Sequence, residues 1–355
     1  MLDRSILPLS GPVVVTGAAG FLGRYVCERL VARGISVRGV VRRSGAIVPA
    51  GVEPVVVPDV LDRRSMRRAM TGAGGVIHLA ARVHVMDDFD GGAREAYRLV
   101  NVEGTRAVLE EAMAAGASAF VLASSVKAAG ESTDKGTWGD EVVAAPVDDY
   151  GRSKLEAERL VMEPTGASGM RLCILRLPLL YGARVKGNMH RLFDLVHRGV
   201  PLPFGLVNNR RALMYAGNAA AAIEAAVVHI GPLPPTPFFV SDGADISTGQ
   251  LVRDIACALG RPARLLPVPA VLIRGLGRAG DVISTVMPFP FRSAESDRLL
   301  GSLRLDVSRY SRVTGFAPPF TRQQGLAETA RWYVASRAPV AAPAPSVAPG
   351  PLLEP

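Results

Sequence analysis

Residues Val13 to Gly23 read Val-Val-Val-Thr-Gly-Ala-Ala-Gly-Phe-Leu-Gly: a β-branched run, a glycine-spaced turn and the opening of an apolar-periodic helix. Gly17 permits a tight turn, Gly20 lets a bound pyrophosphate approach the backbone, and Gly23 lets the helix lie close to the strand. A pyrophosphate there rests on backbone N–H groups at the positive end of the helix. The spacing is G-x-x-G-x-x-G rather than G-x-G-x-x-G, so the strand before and the helix after carry the argument. The loop residues Gly17, Ala19, Gly20, Phe21, Leu22 and Gly23 are therefore expected to line a dinucleotide.

The rest of the first half fits such a beginning. Strands are predicted at Pro12–Thr16, Ser36–Val41, Val55–Val57, Val76–Leu79, Ala119–Ser124 and Leu172–Leu177. Several are nearly continuous apolar runs, as strands buried on both faces of a parallel sheet require. Helical patterns at Gly20–Arg33, Arg63–Met70, Arg94–Ala115 and Tyr150–Met162 separate them. Strand–helix alternation predicts an α/β fold, a Rossmann-type doubly wound parallel sheet. A smaller C-terminal substrate-binding region, richer in proline, is expected over residues 179–336. Its helices are predicted at Asn188–Arg198, Asn218–His229 and Thr248–Leu259, with a short strand at Phe238–Ser241. Residues 1–178 form the dinucleotide-binding domain in this reading, with some later segments returning to it. The Pro/Ala-rich stretch 337–355 is expected to be disordered.

Composition narrows the class. The 355 residues are 48% hydrophobic and 21% charged, which rules out whole-chain disorder. The net charge of +9 comes from scattered arginines, without a basic block interleaved with aromatics, so nucleic-acid binding is not expected. Cys27, Cys173 and Cys257 lack metal-ligand spacing and read as core residues; no metal is expected, and the odd count favours a reducing, cytoplasmic setting. No signal-peptide or membrane-spanning stretch is found. The apolar run Leu265–Leu276, broken by Pro267, Pro269 and Arg274, reads as a buried or substrate-domain helix, with a peripheral membrane helix as the alternative.

Chemistry enters at Tyr150-Gly151-Arg152-Ser153-Lys154. Tyr150 and Lys154 stand one helical turn apart and share a face. A free phenol, with a pKa of about 10, is a poor base at neutral pH. A nearby ammonium and a nicotinamide cation are expected to lower it, so that Tyr150 exchanges a hydroxyl proton while hydride moves. Ser125 closes the fifth strand, at the carboxyl edge where such sheets bind ligands, and is expected to hold the same substrate oxygen. The second strand ends in Arg42-Arg43, where a carboxylate would hold the ribose hydroxyls of NAD and arginine accommodates a 2′-phosphate. The reading therefore leans to NADP, with NAD open. Asp59 and Val60 are expected beside the adenine.

These residues resemble the extended short-chain dehydrogenase/reductase superfamily, in its NAD-dependent epimerase/dehydratase family, over about residues 12–334. His78-Leu79-Ala80-Ala81 resembles the family's loop beside the cofactor, and Asn101-Val102-Glu103-Gly104-Thr105 its Asn-Val-x-Gly-Thr helix. Arg176-Leu177-Pro178 with Tyr181-Gly182 resembles the segment passing the nicotinamide, and Leu305-Asp306-Val307-Ser308 with Gly315-Phe316 the closing motif. The resemblance implies that Leu79, Ala80, Ala81, Asn101 and Leu177 join Tyr150 and Lys154 at the cofactor. It places Asn188 and Arg211 at the diphosphate of a UDP-linked sugar, with His84, Ser125, Lys127 and Arg298 on the substrate side. Ala81–Met86, Ser124–Lys127 and Asn209–Leu213 resemble a bacterial polysaccharide subgroup that includes UDP-N-acetylquinovosamine dehydrogenase-type 4-keto reductases. The implied activity is 4-keto-sugar reduction in surface polysaccharide synthesis, with UDP-sugar 4-epimerisation and non-catalytic dinucleotide binding as alternatives. A homodimer through the Arg94–Ala115 and Tyr150–Met162 helices is implied too. Two departures stand out. Val126-Lys127 replace the Asp-Glu of the dehydratases, so dehydration is not expected. Tyr215-Ala216-Gly217-Asn218 lacks the usual acidic residue, so looser hydrogen bonding is expected there.

Overall fold

The structure, a computed structural model, describes residues 9–83, 93–133, 136–139, 141–229, 233–234, 236–284 and 293–337. Its strands are β1 (Val13–Thr16), β2 (Val37–Val41), β3 (Val52–Val56), β4 (Gly75–His78), β5 (Ala119–Ser125), β6 (Arg171–Leu177), β7 (Leu179–Tyr181), β8 (Leu213–Tyr215) and β9 (Phe238–Phe239). Seven of them form one parallel sheet in the order β3-β2-β1-β4-β5-β6-β9, while β7 and β8 make a separate parallel pair. Val13, Val14 and Val15 are wholly buried, as a strand covered on both faces must be.

Helices cover both faces. In chain order they are α1 (Phe21–Ala32), α2 (Arg63–Met70), α3 (Ala93–Arg98), α4 (Gly104–Ala114), α5 (Asp149–Ser168), α6 (Gly187–His197), α7 (Ala216–Val228), α8 (Thr248–Ala258), α9 (Ala270–Ile283), α10 (Ser293–Leu300), α11 (Ser308–Thr314) and α12 (Arg322–Ala335). One face of the sheet packs on α1 and α7 through Val26, Cys27, Leu30, Ala219 and Ile223. The other packs on α2, α4 and α5 through Met66, Ala69, Val108, Leu109 and Val161. A second core gathers Phe193, Leu213, Val252, Ile255 and Tyr333 from α6, β8, α8 and α12. Although α7 and β9 follow residue 179, they return to the sheet. The chain's winding reverses between β1 and β4, which opens a crevice outside their carboxyl ends.

Several expectations need correction. The third strand starts at Val52, because pairing with β2 in register selects Val52–Val56. A π-helical turn at Leu99–Glu103 separates α3 from α4 where one continuous helix was expected. Helix α5 continues to Ser168 past Pro164, beyond the predicted end at Met162. Cys257, expected in the core, is exposed on α8. Chain entry at Pro269 delays α9 to Ala270, and its apolar side chains are largely exposed rather than buried. The expected disordered tail lies, from residue 338 onward, outside the described residues, as does His84.

Candidate active site

At the crevice, Gly17 takes φ +72°, a left-handed conformation suited to glycine. A Cβ on Gly17 would come to 3.0 Å from the Ala80 nitrogen. One on Gly23 would come to 2.1 Å from the Gly17 carbonyl oxygen, so only glycine lets α1 sit this close to the turn. Gly20 caps α1 with no side-chain acceptor on the first-turn N–H groups. A diphosphate fits this cradle: bare donors at a positive helix end, with no Cβ in the way. Arg42 and Arg43 are exposed just past β2, and Asp59 is exposed beyond β3, where its carboxylate accepts from the Leu61 N–H at 3.0 Å.

Beneath the cradle runs a buried chain of hydrogen bonds whose donors can be assigned. Thr105 Oγ1 donates to the Asn101 carbonyl at 2.6 Å, so it must accept from His78 Nε2 at 3.0 Å. His78 Nδ1 is then the acceptor for Thr16 Oγ1 at 2.8 Å. Thr16 Oγ1 in turn accepts from the N–H groups of Leu79 and Ala80 at 3.1 and 3.2 Å. Burial first, and the Lys154 charge second, push the His78 pKa down to about 3, so the ring stays neutral as this assignment demands. Asn101, expected at the cofactor, directs its side chain into protein. Its Oδ1 accepts from the Arg82 N–H at 2.8 Å, and its Nδ2 donates to the Arg82 carbonyl and to Ser153 Oγ. It thereby fixes the Leu79–Arg82 loop over the crevice and ties it to α5.

The catalytic candidates converge from β5 and α5. Asp148 caps α5, its Oδ1 accepting from the Gly151 N–H at 2.7 Å, which places Tyr150 in the first turn. The Ser125 side chain lies near enough to Tyr150 to lower its pKa, while the Tyr97 ring packs edge-on against the Tyr150 ring at 6.0 Å. Lys154, 5% exposed, donates to the Ala123 carbonyl at 2.7 Å beside the end of β5. Burial lowers its pKa to about 8. One turn further, the wholly buried Glu158 accepts from Arg176 and from Ser124 Oγ. This pair, which the sequence reading missed, fixes α5 against β5 and β6.

The electrostatics correct one expectation. Lys154 does not draw the phenol down. Burial pushes Tyr150 up to about 12; the neighbouring Ser125 side chain lowers it, and Asp148 and Tyr97 raise it. Tyr150 is thus a proton donor in the resting site. Replacing Asp148 with Asn keeps the cap but removes its charge, so the Tyr150 pKa should fall. The limb along which turnover rises with pH should move to lower pH by a fraction of a unit, measurable in kcat/KM–pH profiles of D148N against wild type. An unmoved limb would separate Asp148 from Tyr150.

Three of the substrate-side candidates, Lys127, Arg211 and Arg298, are linked in one charged cluster. Lys127 Nζ donates to Asp148 at 2.6 Å and lies 3.2 Å from Glu131, which Arg298 approaches at 3.3 Å. Arg211, mostly buried, donates to the carbonyls of Arg298 and Gly301 at 2.7 and 3.0 Å. Asn188 is exposed in the first turn of α6, and Leu177 is buried at the end of β6. The acid missing from Tyr215–Asn218 is supplied from elsewhere. The Asp242 carboxylate accepts from the Tyr215 N–H at 3.0 Å, Asn218 Nδ2 at 2.7 Å and Tyr181 OH at 2.8 Å. Local bonding there is tight rather than loose.

A reversing parallel sheet, a glycine cradle and a Ser–Tyr–Lys set at the carboxyl edge define a dinucleotide-dependent oxidoreductase. Residues 13–235 match the model of the NAD dependent epimerase/dehydratase family, and the chain belongs to that family. It is 33% identical to a UDP-glucose 4-epimerase of Vibrio cholerae over 333 residues, covering 91% of this chain and 95% of that one. It is 26% identical to an N-acetyl-α-D-glucosaminyl-diphospho-ditrans,octacis-undecaprenol 4-epimerase of Escherichia coli O157:H7 over 329 residues, covering 90% and 94%. The fold matches that of a Thermus thermophilus UDP-glucose 4-epimerase, determined in complex with NAD, with a TM-score of 0.69 and 22% identity. That likeness covers 92% of this chain and 99% of the Thermus chain.

Proposed function

We propose that this enzyme inverts carbon 4 of a sugar carried on a nucleoside diphosphate, using NAD. The observation that carries the proposal is the convergence of Ser125, at the carboxyl end of β5, on Tyr150 at the head of α5, with buried Lys154 one turn further along that helix. The full-length likeness to a UDP-glucose 4-epimerase supports the same reading.

When bound, NAD supplies the hydride acceptor and a positive charge. Ser125 holds the 4-oxygen. Tyr150 takes the proton of the 4-hydroxyl and returns it to the opposite configuration once the 4-keto sugar has turned over. Lys154, anchored on the Ala123 carbonyl, presents its ammonium to the ribose side. Arg211, Arg298, Lys127 and Asn188 hold the diphosphate end. Val126 is buried and Lys127 is paired to Asp148 and Glu131, so no free carboxylate follows Ser125 to draw off a carbon-5 proton. This argues against dehydration.

Arg42 and Arg43 favour a second reading, NADPH-dependent reduction of a 4-keto sugar, since both are exposed where a 2′-phosphate would lie. One pair of assays separates the two. UDP-glucose or UDP-N-acetylglucosamine with NAD+ should yield the 4-epimer with no net change in reduced-cofactor absorbance. Steady loss of NADPH with a UDP-4-keto-6-deoxy sugar, and no epimer in the first assay, would replace epimerase with reductase.

A further inference from the structure

The outer side of α9 is organised in a way the sugar chemistry does not require. Its 14 residues fall into four rows at i, i+4, i+7 spacing. Ile273, Gly277 and Gly280 form the inward row and are buried. Leu272, Leu276, Ala279 and Ile283 form the next, with Val271, Gly275 and Val282 beside them. Val271, Leu272, Leu276 and Val282 are 71%, 62%, 55% and 70% exposed. Ala270, Arg274, Arg278 and Asp281 make up the last row. Asp281 accepts from the Ser293 N–H at 3.2 Å, which ties α9 to α10. Exposed Leu266 leads into the same helix. Among the described residues this is the longest run of exposed large apolar side chains, and the two arginines edge it.

We propose that this face of α9 docks on an anionic lipid bilayer. An apolar strip edged by cations matches a membrane interface, where the strip enters the headgroup–acyl boundary and the guanidinium groups meet lipid phosphates. Fourteen residues span about 21 Å, so the helix lies in the interface plane rather than crossing it, and no described helix is long and apolar enough to cross. The chain's net charge of +9 adds long-range attraction to such a surface. A second copy seated on the strip across a two-fold axis would bring Arg274 and Arg278 of both copies into one contact, so the lipid surface is the better match for the charge. Helix α10, which the Asp281–Ser293 hydrogen bond joins to α9, carries Arg298. Docking therefore sets the diphosphate end of the cleft close to the bilayer.

Sedimentation of the full chain with vesicles tests this. Wild type should pellet with phosphatidylcholine–phosphatidylglycerol vesicles, and weakly or not at all with phosphatidylcholine alone, and high salt should release it. L272E/L276E should abolish binding. R274E/R278E should weaken it about tenfold or more. Both should keep the melting temperature and the turnover of a water-soluble nucleotide-sugar, because all four side chains are exposed and outside the catalytic machinery. Wild type that pellets with neither vesicle would overturn the proposal, as would variants that pellet like wild type. A wild-type dimer that L272E/L276E converts to monomer, with no vesicle binding, would assign the strip to self-association instead.

Discussion

Tyr150→Phe should lower turnover by about 10³-fold while leaving dinucleotide affinity essentially unchanged. The asymmetry follows from what the hydroxyl touches. The Tyr150 ring is packed by Tyr97, and its hydroxyl meets Ser125, whereas the cradle for the diphosphate is built from the Gly17–Gly23 backbone. Phenylalanine keeps the packing and removes only the group that exchanges the proton. With the phenol near 12, only about one site in 10⁵ holds phenolate at pH 7 without bound ligands. The oxidising step thus depends on the charge and desolvation that arrive with cofactor and sugar, and it should gain rate as pH rises. The check is kcat for both variants across pH, together with cofactor binding by fluorescence or calorimetry. A Phe variant with a tenth or more of wild-type turnover would move the proton to another group, and Ser125 would be the first to test.

What could be read from the sequence was whatever local pattern encodes. Apolar runs and glycine spacing located β1, β2, β4, β5 and β6 to within a residue or so, because a strand buried on both faces leaves a contiguous signal. The candidate residues at strand ends and at the head of α5 were located with them, since the parallel topology puts those ends together. Features that depend on partners far along the chain were not readable. Asp242 replaces an acid expected near Tyr215 from a position beyond β9, and neither residue announces the other. The short pair β7–β8 exists only because three residues of each meet in the second lobe. The Tyr150 pKa was misjudged for a related reason. Spacing revealed that Lys154 shares the face, but not that its ammonium is drawn to the Ala123 carbonyl or that burial dominates at the phenol. The outward turn of α9 stood only as the alternative to a buried helix, since an apolar helix in sequence looks the same whether its face meets a core or a surface.

Gly23→Ala tests the other half of the site, and it should separate fold from function less cleanly than Tyr150→Phe. Its new methyl would stand 2.1 Å from the Gly17 oxygen and 2.9 Å from the Ala18 Cα, both backbone atoms of the turn itself. No side-chain rotation relieves that overlap, so the start of α1 must move away from β1. That move displaces the N–H groups that would receive a diphosphate, and it loosens Val26, Cys27 and Leu30 from the sheet. The expected result is a loss of dinucleotide affinity of about a hundredfold or more, with stability reduced by about 1–3 kcal/mol. Gly34→Ala provides the control. Gly34 follows the far end of α1 at φ +73°, with open space where a Cβ would go. Alanine there costs about 1–2 kcal/mol through backbone strain alone. It should lower the melting temperature comparably yet leave cofactor affinity intact. If both variants bound cofactor equally well, the close approach of helix to turn would be a matter of packing, and the diphosphate would have to be held elsewhere in the crevice.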